Sequence, residues 1–241
     1  MSSNGNEGVN AAKRAAAYAA VEAHAGEGMR VGVGSGSTVV FAAERLGQLA
    51  KEHGWTSVVC VPTSFQSQQL IVEAGLVLSD LNQTPELDVA FDGADEIDGE
   101  LNAIKGGGAA HTQEKLVAAN AKTLILLVDE SKDTGALGTK WAVPIEVLPG
   151  AWVVAKAALV KAGATSVVLR MAKAKAGPVV TDNGNFVLDA AFGVIAAADV
   201  AGLEAKINNI PGVVDNGLFA GLASEVFIGR SDGSFEVRRR E

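Results

Sequence analysis

Short apolar runs alternate with helical patterns through the first half of the chain, and this alternation restricts the folds that are open to it. Four such runs are MRVGV at 29–33, SVVCVP at 57–62, LDVAF at 87–91 and TLILLV at 123–128. A buried strand followed by a helix and a second buried strand packs as a right-handed parallel unit. The sequence therefore predicts an α/β fold with a Rossmann-like, mostly parallel sheet flanked by helices.

The pattern changes in the segment DTGALGTKWAVPIEVLPGAW at 133–152, which carries glycines and two prolines but no clear period. Such a segment is typical of a crossing between domains. A helix, a strand, a hairpin turning at Asn183-Gly184 and another helix follow, which is an α+β pattern. The closing strands SEVFIGR and SFEVRR are expected to rejoin the first sheet. We predict a Rossmann-like catalytic domain at 1–138 and 213–241, and a smaller α+β domain at 139–212.

Charge and apolar content exclude several classes of partner. The net charge is −8, and the sequence has no basic stripe apart from Arg238–Arg240, so we expect neither nucleic-acid nor membrane binding. That arginine-rich end is expected to be frayed. No apolar run is long enough to span a membrane, and the first residues, MSSNGNEG, lack the layout of a secretory signal. The expected location is the cytoplasm.

The chain has one cysteine and three histidines. Cys60 lies in the apolar run VVCVP and is expected to be a buried strand residue that forms no internal disulfide. The histidines have no metal-ligand spacing to one another, so we expect no metal site.

A glycine loop, GSGST at 34–38, joins the first predicted strand to a long amphipathic helix. Backbone amides of Ser35–Thr38 at the helix N-terminus would form an anion site, and phosphate is its natural ligand. The dinucleotide fingerprint fails because Ser37 stands where its third glycine should be, and the nucleotide P-loop fails because no Gly-Lys-Ser/Thr follows. The loop therefore indicates a monophosphate, although a tight strand-to-helix turn would use the same residues.

Lys13 and Arg14 lie on the alanine-rich helix that precedes this loop. A solvated face explains both side chains. The alternative is that one of them reaches an anionic substrate.

The densest collection of reactive residue types follows the strand that ends at Phe91. It comprises Asp92 and Asp95, then Lys105 before the glycine triplet Gly106–Gly108, and then Glu114. We expect both aspartates in the loop at the carboxyl end of the strand, where open α/β sheets bind ligands. Taken singly, each residue also fits a structural role, as a turn cap, a solvated lysine or a first-turn acid.

Two neighbouring residues extend this cluster. Thr112 is a candidate N-cap for the helix TQEKLVAA, which puts the glutamate in its first turn. Lys132 follows the next buried strand, so it is expected at the same sheet edge. Together, a carboxylate base, a cation for a developing oxyanion and a remote anion anchor are what proton abstraction next to a carbonyl needs.

Six motifs in this order and spacing resemble ribose-5-phosphate isomerase of type A. They are GSGST at 34–38, DGADEID at 92–98, KGGGAA at 105–110, QEK at 113–115, DESK at 129–132 and TDNGN at 181–185.

The resemblance implies interconversion of ribose 5-phosphate and ribulose 5-phosphate through an enediolate, without cofactor or metal. It implies that Glu114 is the catalytic base, that Lys105 stabilises the charge on oxygen, and that Asp92 and Asp95 hold sugar hydroxyls and help to open the ring. It further implies a homodimer or larger assembly. The implied substrate-binding residues are Ser35, Gly36, Ser37, Thr38, Gly93, Ala94, Gly106, Gly107, Gly108 and Lys132.

Two other functions use part of the same residue set. An amino-sugar phosphate isomerase or deaminase on a similar sheet would release ammonia from glucosamine 6-phosphate. A non-catalytic sugar-phosphate sensor would need the phosphate loop but not the base and the lysine. The joint presence of these groups, and the lack of a DNA-binding segment at either end, favour the isomerase.

Overall fold

The structure is a computed structural model that describes residues 3–240. Its six α-helices are α1 Ser3–His24, α2 Val39–His53, α3 Phe65–Glu73, α4 His111–Ala119, α5 Trp152–Lys161 and α6 Val200–Asn208. Short 3₁₀ helices occur at Glu130–Lys132, Pro149–Ala151 and Ala197–Asp199. The strands are β1 Arg30–Val33, β2 Val59–Pro62, β3 Val77–Leu78, β4 Val89–Asp92, β5 Glu96–Asp98, β6 Ala103–Ile104, β7 Leu124–Asp129, β8 Asp133–Gly135, β9 Val143–Val147, β10 Ser166–Leu169, β11 Phe186–Ala191, β12 Val213–Asn216, β13 Leu218–Phe219, β14 Ala223–Gly229 and β15 Phe235–Arg239.

The chain forms two compact units. The first contains the chain through Ala94, Gln113–Asp133 and the chain from Leu222 onward, and the second contains Asp95–Thr112 and Thr134–Gly221.

A seven-stranded sheet with the order β15-β14-β7-β4-β1-β2-β3 is the centre of the first unit. Its neighbouring strands run parallel, apart from the antiparallel pair β14–β15. The prediction of a mostly parallel sheet, with the two closing strands joined to it, is confirmed. The expectation of a frayed arginine-rich end is wrong, because β15 pairs with β14 as far as Arg239.

Helix α1 packs against α2 and β14, and its alanines explain how closely it approaches. Ala16, Ala17 and Ala20 are fully buried in the core of this unit. Where the helix crosses β14, a Cβ atom on Gly229 would lie 2.5 Å from the carbonyl carbon of Ala12, so only glycine fits there. Small side chains on both partners therefore let the helix cover the sheet at short range.

The second unit contains two four-stranded sheets, β10-β11-β9-β12 and β13-β6-β5-β8. Strands β10, β11, β9 and β12 pair antiparallel, and α5 and α6 pack on this part of the chain around a core that includes Ile145 and Leu188. The predicted hairpin turn is present, with Gly184 at a φ of 81° and Val180 paired with Phe186. These elements confirm the α+β pattern.

Residues 95–112 belong to the second unit, whereas the boundaries predicted from the sequence put them in the first domain. The reason is that β5 and β6 pair with each other, and β6 pairs with β13. A two-strand hairpin this short gives no periodic signal that would reveal its partner. The predicted boundaries, 138/139 and 212/213, stay a prediction about which segments fold independently.

Candidate active site

The glycine loop between β1 and α2 lies directly on the end of β4, within the first unit. Gly34 donates its N–H to the carbonyl of Phe91 at 2.8 Å, and a Cβ atom on Gly34 would lie 2.7 Å from Cα of Asp92 and would overlap the Asp92 carboxylate. Asp92 is only 2% exposed, and its Oδ1 accepts from the N–H of Ser35 at 3.1 Å and of Gly93 at 2.7 Å. One buried carboxylate therefore orders both loops. Asp92 is the last residue of β4, so its predicted position in the loop was wrong by one residue.

The other loop residues divide into supported and exposed positions. The Ser35 hydroxyl is hydrogen-bonded to the hydroxyls of Thr63 (2.8 Å) and Ser64 (2.6 Å), and the Gly36 N–H donates to Oε1 of Gln66 at 2.9 Å. Ser64 also caps α3, where its hydroxyl accepts from the N–H of Ser67. Gly36 and Ser37 are exposed. The loop is therefore held from the α3 side, which leaves the Ser37 hydroxyl accessible.

Lys13 extends from α1 to this loop. Its Nζ donates to the Ser37 hydroxyl at 2.9 Å, whereas Arg14 turns to Tyr18 and Glu44. A solvated face was the expected role of both side chains, with contact to an anionic substrate as the alternative; the structure shows the Lys13 ammonium on the glycine loop. The position of Lys13 along the helix predicts which face it occupies. Its contact with Ser37 depends in addition on how α1 crosses α2.

Lys132 closes the 3₁₀ helix that follows β7, in the first unit. Asp129 caps that helix by accepting from the N–H of Ser131 at 3.0 Å and from its hydroxyl. Asp133 accepts from the guanidinium of Arg238 at 2.6 Å, which fixes the other end. The backbone on both sides of Lys132 is thus held at the carboxyl end of a parallel strand, as predicted.

Glu114 lies in the first turn of α4 and is 4% exposed. The helix begins at His111, so the predicted N-cap role of Thr112 is wrong. A Cβ atom on Gly32 would lie 2.5 Å from Cγ1 of Val117, which shows how closely α4 packs on β1. This packing holds the helix that carries the glutamate against the central strands of the first unit.

Lys105 lies at the end of β6, in the second unit, and is 2% exposed. Its Nζ lies 5.3 Å from the centre of the Phe219 ring, within the range of a cation–π interaction. The backbone N–H of Lys105 donates to the carbonyl of Gly217 at 2.9 Å. Backbone and side chain are therefore both anchored, and a buried ammonium is a strong electrostatic group.

The three glycines after Lys105 differ in how strictly the structure requires glycine at each position. Gly106 has a φ of 102°, and its Cβ would lie 2.6 Å from Nδ1 of His111. Gly107 donates its N–H to Oδ2 of Asp95 at 2.7 Å, and its Cβ would lie 2.6 Å from that carboxylate. Gly108 has open space around it. The second unit thus brings Asp95 and the triplet together.

Two further acids in the DGADEID motif are structural. Glu96 and Asp98 are fully buried. Glu96 accepts from the N–H groups of Gly138 (2.6 Å), Lys140 and Trp141 (3.0 Å), and Asp98 accepts from the backbone and side chain of Asn102. They order adjacent loops of the second unit and have no solvent access.

The TDNGN motif surrounds another buried carboxylate of the second unit. Glu146 Oε1 accepts from the Thr181 hydroxyl (2.8 Å) and from the amides of Asn183 (3.0 Å) and Asn185 (2.8 Å). Burial raises the pKa of Glu146, but the polar side chains around it, Thr112 and these three residues, together hold it below the ordinary value. The TDNGN motif therefore has a structural role, which is to hold the buried Glu146 carboxylate.

Residues 3–240 contain no group of three His, Cys, Asp or Glu side chains placed to hold a metal ion. Within the same residues, no helix combines the length and apolar character that a membrane span requires.

The fold and these loops define an open-sheet α/β protein whose glycine loop and lysine-bearing turn follow the carboxyl ends of parallel strands. The family described as ribose 5-phosphate isomerase A (phosphoriboisomerase A) matches residues 59–233. The chain belongs to this family, which confirms the resemblance.

Named relatives cover almost the whole chain. Ribose-5-phosphate isomerase of Dictyostelium discoideum is 48% identical over 229 residues, which are 94% of this chain and 97% of the relative. That of Homo sapiens is 48% identical over 231 residues, 95% of this chain and 73% of the relative.

Solved structures agree with the fold. Ribose 5-phosphate isomerase A from Methanocaldococcus jannaschii has a TM-score of 0.87 at 40% identity and covers 94% of this chain and 97% of its own. A D-ribose-5-phosphate isomerase in complex with phospho-erythronic acid has a TM-score of 0.91 at 40% identity. The match covers 96% of this chain and 99% of the solved one.

Proposed function

We propose that the protein is an aldose–ketose isomerase that interconverts D-ribose 5-phosphate and D-ribulose 5-phosphate in the non-oxidative pentose phosphate pathway. The observation that carries the proposal is family membership, with 48% identity to named isomerases over nearly the whole chain. The residue types that proton abstraction requires, a carboxylate, a lysine and an anion-binding loop, are all present in the chain.

Glu114 is proposed to be the base. From the open-chain aldose it takes the proton on C2, the electron pair of that bond forms a C1=C2 double bond, and O1 takes the negative charge. The proton is then returned to C1, and transfer of the O2 proton to O1 gives the ketose. Burial of Glu114, at 4% exposed in the first turn of α4, supports this role because a base in a site shielded from water can act on the substrate without competition from solvent.

Lys105 is proposed to stabilise the charge on the enediolate oxygen, and Asp92 and Asp95 to hold sugar hydroxyls and assist ring opening. The supporting observation is that the Lys105 ammonium is buried beside an aromatic ring. A cation held in a site of low dielectric acts more strongly on developing charge than one in water.

The loop Ser35–Thr38, together with Lys13 and Lys132, is proposed to bind the phosphate. The bond from Lys13 to the Ser37 hydroxyl supports it, since a cation already stands at the exposed part of a loop that precedes a 15-residue helix. In a chain with a net charge of −8, such cations must be concentrated locally.

The ligand of the related structure supports the same chemistry. Phospho-erythronic acid is a phosphorylated sugar acid with a planar carboxylate at one end, and the enediolate is likewise planar with two oxygens. We infer that this chain binds such acids in competition with its substrate.

We further propose a cofactor-free homodimer in the cytoplasm that binds neither nucleic acid nor membranes. Exposed apolar residues on the second unit, such as Val153, Val154 and Val194, support a contact surface there. Sedimentation equilibrium measures the oligomeric state.

Glu114→Gln tests the proposed reaction. Removing the base should lower kcat about 100- to 10,000-fold, while phospho-erythronic acid should still bind. Turnover is measured as ribulose 5-phosphate formation in the presence of a chelator, and binding by calorimetry.

Glu73→Gln is the matched control, because Glu73 is an exposed glutamate on α3 and should have no effect on kcat. Retained turnover in folded Glu114→Gln would remove Glu114 from the role. Ammonia release from glucosamine 6-phosphate, or binding of ribose 5-phosphate by the wild type without conversion, would contradict the proposed function itself.

A further inference from the structure

Arg170 lies beneath the glycine triplet, within the second unit. Its Nη1 donates to the carbonyl of Gly106 at 2.9 Å and to that of Gly107 at 3.1 Å. Its Nε and Nη2 donate to the two carboxylate oxygens of Asp189 at 2.9 and 2.5 Å. The side chain is 16% exposed. The forked ion pair fixes the plane of the guanidinium, and the remaining edge contacts two successive peptides.

These two contacts determine where the adjoining N–H groups point. In a trans peptide the C=O and the following N–H are antiparallel. Since the Gly106 carbonyl faces Arg170, the Gly107 N–H points the other way, and it reaches Asp95 at 2.7 Å. The Gly107 carbonyl also faces Arg170, so the Gly108 N–H must also point away from the guanidinium.

Two successive N–H groups on one side of a turn form a small anion-binding concavity. Gly106 makes this possible with its φ of 102°, and the N–H of Ala109 closes the turn on the Gly106 carbonyl at 2.9 Å. One of the two donors is used by Asp95. Within residues 3–240 the Gly108 N–H donates to no other group, and Gly108 is exposed with open space around it.

We propose that Arg170 is a positioning residue for the isomerisation: with Asp189 it holds the triplet so that the Gly108 N–H is presented to the enediolate oxygen and the Gly107 N–H orients Asp95. The inference rests on the proposed function. A cation that binds the carbonyl of a peptide also polarises its N–H, which strengthens the donor.

Lysine cannot replace Arg170 in this arrangement. An ammonium is a point charge and cannot hold a forked carboxylate and two carbonyls in one plane. Arg170→Lys should therefore resemble Arg170→Ala in kcat, although it retains the charge.

Arg170→Ala is the principal test. Loss of one preorganised oxyanion donor lowers kcat by about 100-fold, so we expect a fall of about 10- to 100-fold, with KM for ribose 5-phosphate changed less than about 3-fold. Added guanidinium at millimolar concentration should restore part of kcat in Arg170→Ala, whereas tetramethylammonium should not. Asp189→Asn, which leaves the arginine in place, should show a smaller loss.

Arg30→Ala is the matched control. Arg30 makes a similar forked pair with Asp88 at the start of β1, in the first unit. The Arg30→Ala variant should be less stable than the wild type, while its kcat stays unchanged.

Unchanged kcat in folded Arg170→Ala would overturn the inference, and so would a loss of kcat that guanidinium fails to restore. If Arg170→Ala does not fold, the inference is decided by Arg170→Lys and Asp189→Asn, and wild-type kcat in both would overturn it. Failure of the proposed function is distinguishable, because the wild type would then be inactive.

Discussion

Several single residues are required because two parts of the backbone approach closely. Gly34 is the clearest case, since any side chain there would overlap the Asp92 carboxylate. The sequence indicates a glycine loop, but it does not say which of its glycines is required by a neighbour and which by backbone conformation.

Gly34→Ala should displace Asp92 and separate the two loops that this carboxylate orders. We expect at least a 10-fold loss of isomerase activity and a fall in the free energy of unfolding of about 1–3 kcal/mol, typical of overpacking. Activity is measured by the isomerase assay and stability by urea denaturation. Gly26→Ala is the control, because its Cβ would meet only the sulfur of Met29 at 3.7 Å; equal effects in both variants would contradict the explanation.

Cys60 shows what residue-scale reasoning predicts well. Its apolar neighbours predict a buried strand position, and the residue is fully buried in β2, where burial raises the pKa of the thiol to about 12. Lys13 and Arg170 show the opposite case. Lys13 lies on α1 and Arg170 directly follows β10, and both make contacts with residues distant in sequence.

At the scale of elements, buried carboxylates hold the loops of the second unit. Glu146 organises the turn after Thr181 through three donors, and Glu96 organises the loop 138–141. A carboxylate accepts at both oxygens, so it can bind several N–H groups that an amide side chain would partly repel.

Glu146→Gln should lower the free energy of unfolding by about 1–3 kcal/mol at neutral pH, because a neutral amide oxygen accepts these three hydrogen bonds more weakly than a charged carboxylate oxygen does. Since the pKa of Glu146 is lowered in the folded protein, its contribution is present above its ordinary value of 4.5 and is lost as pH falls below it. The deficit of the variant should therefore shrink below pH about 4. Urea denaturation at several pH values measures it, with exposed Glu100→Gln as control; a deficit independent of pH would contradict this account.

At the scale of the whole molecule, a bidentate ion pair joins the amino ends of the central strands β1 and β4 in the first unit. Arg30 at the start of β1 binds Asp88, just before β4, through its side chain at 3.0 and 3.2 Å and through its N–H at 2.9 Å. Lys122, before β7, adds a bond at 2.9 Å. These contacts, with the Arg30 side chain the largest, hold the pKa of Asp88 well below its ordinary value.

Asp88→Asn should therefore destabilise the protein by about 1–2 kcal/mol at neutral pH. The sign of the pH dependence follows from the lowered pKa: the contribution is complete above the unfolded value near 4 and is lost as pH falls through the folded value. Thermal unfolding of wild type and variant between pH 7 and pH 2 measures the difference, which should narrow on acidification. A difference that widens would contradict the explanation.

The order of elements in the first unit was predictable, because buried parallel strands and amphipathic helices leave distinct periods in a sequence. Asp92 and Glu114 adjoin such elements, so their places at the end of β4 and in the first turn of α4 could be predicted closely. The roles of Asp92, Asp95, Lys105 and Glu114 stay predictions. Strands of two or three residues, such as β6 and β13, carry too little pattern to show their partners. The pairing of β6 with β13 therefore could not be predicted from the sequence.

The amino-acid sequence by itself determined the α/β class, the glycine loop and the family, because these depend on local periodicity and on residue types at fixed spacings. Only the tertiary structure decided which polar groups meet: Lys13 at Ser37, Asp92 beneath Gly34, and Arg170 behind the glycine triplet. Those contacts join residues far apart in the chain, and packing, not local pattern, brings their atoms within bonding distance.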